Sequence, residues 1–172
     1  MSVFYDKLYL GDAAKGVGVF TNVEIPFGSH ILTFSGKPCN YDEVPNPYKE
    51  DFWVQVGPDL FYGPSGQLDD YINHSCDPNT GIKIVDGEVR LYSIKKIRAG
   101  KQLFWDYSTT MTMGIWIINC KCRADTCRKK VLNFRDLPMH VIRKYIDLGI
   151  VPDYVVQDLF ENSPHQLTPK RR

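Results

Sequence analysis

Three cysteines near the C-terminal end of the chain have the spacing of metal ligands. Cys120, Cys122 and Cys127 place three thiols in one short loop. Structural zinc is tetrahedral and takes four nitrogen or sulfur ligands at about 2.0–2.3 Å, so one ligand must come from elsewhere. The candidates are Cys76, Cys39 and the four histidines. Cys76 is favoured because it lies in the other polar motif of the chain that lacks a structural explanation.

That second motif runs Asn73-His74-Ser75-Cys76-Asp77-Pro78-Asn79, after an apolar lead-in and before a β-like run. In one interpretation the Asp-Pro-Asn segment makes a turn, Asn73 and Ser75 bond to local backbone, and Cys76 is a small buried hydrophobe. In the other, Asn73 and His74 contact a ligand and Cys76 binds a metal. The motif alone favours the turn, since short motifs need context.

Two glycine-containing motifs supply that context. In Lys15-Gly16-Val17-Gly18 the glycines let backbone approach a ligand closely. This stretch does not match a dinucleotide fingerprint, which requires a third glycine and a following helix. The segment from Gly100 to Tyr107 passes from a glycine turn into an aromatic strand that ends at a tyrosine.

The elements that must position these residues are mostly short strands. Residues 8–36 alternate β-like runs, including Ile25-Pro26-Phe27-Gly28, with glycines, which predicts small sheets. Residues 37–66 are rich in proline and predict a loop-rich insert with one helical turn near Tyr41 to Val44. Two later β-like runs flank Asp86-Gly87, the dipeptide preferred in a two-residue hairpin turn.

The periodicity becomes helical at the C-terminal end. Asp136 is the predicted N-cap, Pro138 lies in the first turn, and Gly149 ends the helix. A second short helix is expected to pack against the first through one face, formed by Val155, Val156, Leu159 and Phe160.

Composition predicts one ordinary globular domain. The 172 residues are 43% hydrophobic and 24% charged, and the net charge of +1 excludes nucleic-acid binding through overall charge. We find neither an apolar run of about 18 residues nor a secretory leader, and the cysteines cluster rather than pair, so a reducing intracellular compartment is expected. The basic residues around the cysteines are expected to form a solvated rim, with a docking patch for acidic partners as the less favoured alternative: Lys121, Arg123, Arg128, Lys129 and Lys130.

Taken in order, the glycine pair, the Asn-His motif, the strand ending at Tyr107 and the Cys-x-Cys-x4-Cys cluster resemble the SET-domain family of protein lysine methyltransferases with its zinc-binding post-SET segment. The resemblance covers roughly residues 4–130. It implies a mainly β fold with short helices, a β-clip of several small sheets with a knot-like crossing. The C-terminal helical segment, predicted from the periodicity, lies outside the resemblance. The expected divisions are a SET domain at 1–118 with an insert at about 37–66, a post-SET zinc segment at 119–134, a C-terminal helical extension at 135–163 and a disordered basic tail at 164–172.

The resemblance also implies the roles of single residues. S-adenosylmethionine would be bound by Lys15, Gly16, Gly18, Asn73, His74 and Tyr107. Tyr107 would be the catalytic phenol, and the channel for the substrate lysine would be lined by Phe34, Tyr62, Trp105 and Tyr107. The family's zinc ligands map onto Cys76, Cys120, Cys122 and Cys127, in agreement with the choice made from spacing.

Several positions depart from the family pattern. Phe34 stands where many members have tyrosine, and Trp105 where phenylalanine or tyrosine is usual, so the number of methyl groups transferred is not assigned. Gln102 replaces a usual glutamate. The cysteine-rich pre-SET segment is missing, so support for the N-terminal part is expected from the C-terminal helices or from a second subunit, which makes a homodimer through these helices an open alternative.

The expected function is therefore protein lysine N-methylation with S-adenosylmethionine and a structural zinc ion. A histone tail is the expected substrate, with other proteins close behind. The alternative is a catalytically weak SET-like module that binds a protein partner; a zinc-ribbon nucleic-acid binder does not account for the Asn-His motif. Neither a membrane nor sequence-specific nucleic acid is expected as a partner. The expected location is the nucleus or chromatin in a eukaryotic or viral setting, and the cytoplasm or an exported effector in a bacterial one.

Overall fold

The computed structural model describes residues 2–14, 16–44, 52–114 and 118–162. These residues contain strands β1 (Leu8–Ala13), β2 (Gly16–Thr21), β3 (His30–Thr33), β4 (Pro38–Asn40), β5 (Val54–Gln55), β6 (Leu60–Tyr62), β7 (Asn73–His74), β8 (Thr80–Val85), β9 (Glu88–Ser93), β10 (Phe104–Trp105), β11 (Ile118–Asn119) and β12 (Lys130–Val131). Helices α1 (Met139–Asp147) and α2 (Asp153–Asn162) follow. Single 3₁₀ turns lie at Tyr5–Lys7, Tyr41–Glu43, Leu68–Tyr71, Tyr107–Thr110 and Phe134–Asp136.

The strands form several small sheets. Three are two-stranded, β1 with β2, β7 with β10 and β11 with β12, and two are three-stranded, in the orders β3-β9-β8 and β4-β6-β5. The prediction of a mainly β fold of small sheets with C-terminal helices is confirmed. In the part of the chain that the structure describes, neither helix is long and apolar enough to cross a membrane.

The hairpin predicted around Asp86-Gly87 is present. Val85 pairs with Glu88, and both turn residues have positive φ, 53° and 78°, as a type I′ turn requires. The strand predicted over 25–28 is reduced to one bridge between Ile25 and Ile97. Pro26 has no N–H to extend that ladder.

The insert contains more regular structure than its sequence predicts. The expected helical turn is present as the 3₁₀ turn Tyr41–Glu43, but the sheet β4-β6-β5 was not predicted. Its strands are only two or three residues long, too short for an alternating pattern to be recognised among the prolines. Cys39 lies in β4 opposite Phe61.

Helix α1 begins later than predicted, because Phe134–Asp136 forms a separate 3₁₀ turn and Leu137 is extended. Pro138, not Asp136, occupies the N-cap position, so that prediction is wrong. Gly149 has φ of 60° directly after α1, as expected for a glycine that ends a helix.

The two C-terminal helices share one apolar cluster. Val155 and Leu159 of α2 are buried with Ile142 and Tyr145 of α1. Phe160 is 64% exposed, so its predicted place on the packed face is wrong. It follows Val155 by five positions, about 140° around a helix with 3.6 residues per turn. Self-association through these helices stays a prediction.

The predicted crossing has a clear structural basis in the parallel pairing of β7 with β10. Asn73 pairs with Phe104 and His74 with Trp105. The pairing continues beyond the strands, because Ser75 N–H donates to the Trp105 carbonyl at 3.0 Å. The Asn-His motif and β10 therefore lie side by side. The strand predicted to end at Tyr107 ends at Trp105, and Tyr107 begins the 3₁₀ turn that follows.

Candidate cofactor cleft and metal centre

Tyr107 is held directly against the Asn-His motif. Its backbone N–H donates to His74 Nδ1 at 3.2 Å, and the two rings meet at an angle with centroids 5.3 Å apart. Its hydroxyl donates to the Ile72 carbonyl at 2.9 Å. An aromatic residue so fixed at backbone and hydroxyl has a defined phenol position.

A cleft of about 430 Å³ opens beside these residues. This volume suits a small organic ligand. Its walls come from the β1–β2 tip, the Asn-His motif, the strand before Tyr107 and the cysteine segment, and include Val17, Asn73, His74, Gln102, Phe104, Tyr107, Cys120 and Cys122. A larger cavity of about 860 Å³ lies between α1 and Lys95 and contains none of the predicted site residues.

The two glycines of β2 serve different needs. Gly16 has φ of 73°, a conformation that favours glycine. At Gly18, a Cβ atom would overlap the Gln102 side chain and lie 3.0 Å from Asn73 Nδ2. Asn73 Nδ2 donates to the Val17 carbonyl at 2.9 Å, which joins the glycine motif to the Asn-His motif. Lys15, the remaining predicted residue of this group, lies outside the described residues.

Gln102 was noted in the sequence only as a replacement for glutamate, but it lines the cleft. Its Nε2 is buried and has no hydrogen-bond partner among the described residues. A buried unpaired amide N–H is costly, so an acceptor on a ligand in the cleft would relieve it. The cleft therefore has a polar group suited to a bound molecule, and glycine leaves the space beside it.

The four predicted cysteines lie together. Cys76 Sγ is 3.8 Å from Cys120 Sγ, which is 3.7 Å from Cys127 Sγ. Sulfurs at about 2.3 Å from a tetrahedral zinc ion are about 3.8 Å apart. The Cys76 backbone N–H donates to Cys122 Sγ at 3.5 Å, which brings the fourth thiol into the same cluster. The residues present fit a structural zinc ion.

His74 is also close to this cluster. One compact group of potential donor atoms, all within 4.8 Å of one another, contains His74, Cys76, Cys120 and Cys122 but not Cys127. However, His74 Nδ1 accepts the Tyr107 N–H, so in a neutral imidazole the proton is on Nε2. Nε2 lies 3.4 Å from Cys76 Sγ and can donate to it. A protonated nitrogen does not bind a metal, so the four thiols are the better ligand set.

Backbone donors and burial give the thiols different acidities. Burial raises the pKa of Cys76 and of Cys120. Burial also raises the pKa of Cys122, but backbone N–H groups of Cys76 and Ala124 outweigh it and lower the value to about 6. The Arg128 N–H donates to Cys76 Sγ at 3.4 Å. Such donors stabilise thiolates, the form that binds zinc.

Three of the four predicted channel residues form a continuous aromatic row. Phe34 and Trp105 meet edge to face with centroids 6.3 Å apart, and Trp105 and Tyr107 are 4.8 Å apart. Phe34 and Trp105 are only 6% and 4% exposed. Tyr62, at the end of β6, is half-buried against the same core. The row ends at the Tyr107 phenol.

Sequence reasoning missed the buried carboxylate of Asp106, which is next to Tyr107. Its side chain is fully buried, with both oxygens within 2.8 Å of Arg128 Nη2. It also accepts from the Tyr145 hydroxyl at 2.9 Å and the Ser108 N–H at 3.2 Å. Because Asp106 lies within the predicted aromatic strand, the sequence could have indicated that its carboxylate is buried and therefore paired. No local pattern indicates that Tyr145 is one of its partners.

Arg128 does not belong to the predicted solvated basic rim. It was grouped with the solvated basic rim, yet its side chain is only 11% exposed and is paired with Asp106. It also connects two sites, since its backbone donates to Cys76 Sγ while its guanidinium holds the carboxylate beside Tyr107.

Known proteins are similar to this chain over the segment that supplies most of the cleft residues. A model of the SET domain family matches residues 16–108. The chain is 31% identical over 128 residues, 66% of its length, to histone-lysine N-methyltransferase Set2 of Drosophila melanogaster, of which it spans 6%. It is 40% identical over 130 residues, 67% of its length, to the putative histone-lysine N-methyltransferase ASHH4 of Arabidopsis thaliana, of which it spans 36%.

Solved structures show the same fold. KRYPTONITE in complex with mCHG DNA and SAH aligns with a TM-score of 0.60 and 23% identity, over 72% of this chain and 28% of that one. KRYPTONITE in complex with mCHH DNA, an H3(1-15) peptide and SAH aligns with a TM-score of 0.61 and 22% identity, over 72% and 29% of the two chains.

Proposed function

Because the chain belongs to the SET domain family, we propose that it is an S-adenosylmethionine-dependent protein lysine N-methyltransferase. The observation that carries the proposal is the cleft of about 430 Å³ on whose wall Asn73, His74 and Tyr107 meet. The relatives named above are histone-lysine N-methyltransferases, which favours a histone tail as the substrate and chromatin as the location. The alternative of a catalytically weak SET-like module that binds a protein partner is not favoured, because this cleft and the Tyr107 geometry are both present.

The cleft residues suit the polar parts of the cofactor. Gly16 and Gly18 allow backbone to lie against a ligand, and Asn73 and His74 line the cleft. Gln102 contributes a buried N–H that has no partner among the described residues. Bound S-adenosylmethionine would supply an electrophilic methyl group on a cationic sulfur. The protein's task is then to align that methyl group with the incoming amine, and alignment of this kind contributes much of a rate enhancement.

The aromatic row suits the substrate lysine. A lysine with pKa about 10.4 needs about 4.6 kcal/mol to become a free amine at pH 7, at about 1.36 kcal/mol per pKa unit. Burial between Phe34, Trp105 and Tyr107 favours the neutral amine by desolvation. A strong general base is then unnecessary. Tyr62 is assigned to the outer part of this channel.

Tyr107 is the residue assigned to the transferred methyl group. Its hydroxyl donates to the Ile72 carbonyl, and a phenol oxygen that donates one proton retains lone pairs that can accept weak C–H···O contacts. Such contacts favour the polarised methyl group in the transition state.

The zinc ion is assigned a structural role. Cys76 belongs to the Asn-His motif while Cys120, Cys122 and Cys127 belong to the following segment, so a metal bound by all four ties that segment to the wall of the cleft.

The test is methyl transfer from labelled S-adenosylmethionine to histones and to synthetic histone-tail peptides. Wild-type protein should label lysine, and Tyr107→Phe should reduce the rate by at least tenfold while cofactor binding by calorimetry is retained. Tyr41→Phe, in a 3₁₀ turn of the insert, is the matched control and should be unaffected. Failure of the wild-type protein both to label any substrate and to bind the cofactor would refute the proposal.

A further inference from the structure

The C-terminal helices contribute two tyrosines to the short turn that carries Tyr107. Tyr145 of α1 is 1% exposed, and its hydroxyl donates to Asp106 Oδ2 at 2.9 Å. Tyr154 of α2 has its hydroxyl 2.7 Å from the Thr110 carbonyl and 2.9 Å from the Gln55 carbonyl. The two helices therefore reach the opposite ends of the turn Tyr107–Thr110.

The contact at the start of the turn acts on its cap. Asp106 is the N-cap residue, and its Oδ1 accepts the Ser108 N–H at 3.2 Å. The Asp106 carbonyl accepts the Thr109 N–H at 2.9 Å. Together with Arg128, which contacts both carboxylate oxygens, Tyr145 holds Oδ2 and so helps to fix the rotamer from which Asp106 caps the turn. Since Tyr107 is the first residue of that turn, its backbone direction follows from this cap.

The contact at the end of the turn ties it to the insert. A phenol has one proton, so Tyr154 shares it between the Thr110 and Gln55 carbonyls. Gln55 is itself buried, and its side chain exchanges two hydrogen bonds with Thr112. The end of the turn is thus fixed from α2 and from β5 together.

Both phenols remain donors at any ordinary pH. Burial raises the pKa of Tyr154 well above its usual value. Burial and the neighbouring Asp106 carboxylate likewise raise the pKa of Tyr145.

We propose that Tyr145 and Tyr154 are positioning residues that fix the phenol of Tyr107 by holding the two ends of its turn. Both tyrosines lie outside the matched SET region, which ends at residue 108. Their positioning role makes the C-terminal helices part of the catalytic unit of this chain. The inference rests on the proposed methyl transfer for its kinetic consequence only. Its structural consequence can be measured without any activity.

The experiment compares Tyr145→Phe and Tyr154→Phe with wild-type protein, and Tyr5→Phe serves as the matched control. Among the described residues, the Tyr5 hydroxyl donates only to Gln67 Oε1, in an exposed contact of 3.4 Å. Phenylalanine keeps the packing of each ring and removes one hydrogen bond. Hydrogen exchange of the amides of residues 106–111 should become about tenfold faster in the two test variants, which corresponds to the loss of about 1.4 kcal/mol for one buried hydrogen bond. Exchange in the hairpin 80–93 should be unchanged.

The kinetic arm separates positioning from general stability. In both variants kcat should fall about tenfold, the KM for the cofactor should stay within about twofold, and the zinc content should be that of the wild type. Unchanged exchange at 106–111, or equal acceleration throughout the protein, would overturn the inference. A wild-type protein that neither labels a substrate nor binds the cofactor would refute the proposed function but not this inference, because the exchange measurement still decides the role of the two tyrosines.

Discussion

The buried pair Asp106–Arg128 provides a quantitative test of the site's structure. Arg128→Met would keep much of the side-chain volume and remove the guanidinium. In the part of the chain that the structure describes, the fully buried Asp106 carboxylate would keep two donors, the Tyr145 hydroxyl and the Ser108 N–H. Breaking a buried ion pair by removing one partner costs about 3–5 kcal/mol. The two remaining donors place the expected loss of unfolding free energy near the lower end of that range.

Urea unfolding at constant zinc concentration measures this loss. For a protein of this size, about 1 kcal/mol shifts the melting temperature by about 2–4 °C, so a loss of about 3–5 kcal/mol corresponds to about 6–20 °C. Arg128 Nε has no partner among the described residues, which means that the guanidinium itself is incompletely satisfied. Asp106→Asn alone would remove the carboxylate that pairs with the buried guanidinium. It should therefore lower the unfolding free energy less in the Arg128→Met background than in the wild type.

A double-mutant cycle measures the interaction energy between Asp106 and Arg128. A coupling energy of about 1–3 kcal/mol between the two positions is expected. Arg143→Met, a change at an exposed residue of α1, is the control and should alter stability by less than about 0.5 kcal/mol. A loss below about 1 kcal/mol for Arg128→Met, or strict additivity of the two changes, would contradict the assignment of a stabilising buried pair.

Three further predictions concern other parts of the chain. The purified protein should contain one zinc ion per chain by elemental analysis, and Cys76→Ser should release it whereas Cys39→Ser should not; retention in Cys76→Ser would exclude the four-thiol site. Burial lowers the pKa of His30 below its usual 6.5, so the unfolded chain binds that proton more tightly and stability should fall as pH decreases through about 6.5. His30→Asn should weaken this dependence in urea titrations at about pH 7.5 and about pH 5.5; an unchanged slope contradicts it. Gly81→Ala would place a Cβ 2.6 Å from Ile150 Cγ2 and should cost about 1–3 kcal/mol in thermal unfolding, whereas an unchanged melting temperature would show that this contact yields easily.

Much of this architecture could be predicted because it depends on local patterns. Asp86-Gly87 identifies its hairpin, since few residue pairs accept positive φ at both turn positions. The spacing of Cys120, Cys122 and Cys127 indicates a metal site, and the cluster with Cys76 is present.

The remaining features depend on contacts between distant segments. The sheet β4-β6-β5 has strands too short to show a pattern. Arg128 looked like one of five surface cations, because its partner Asp106 lies 22 positions away. The roles of Tyr145 and Tyr154 could not be predicted, since hydroxyl partners at separations of 39 and 44 residues leave no trace in local sequence.

The contact of Tyr154 with Gln55 spans 99 positions of the chain. During synthesis it can therefore form only after nearly all of the described residues have been made. The local hairpins β1–β2 and β8–β9 can close as soon as they leave the ribosome, because chains are made at about 5–20 residues per second and hairpins close far faster. The turn that carries Tyr107 acquires its last two anchors only when α1 and α2 have also emerged. A nascent chain that already contains every residue of the matched SET region is therefore expected to remain catalytically immature until its helical end is made.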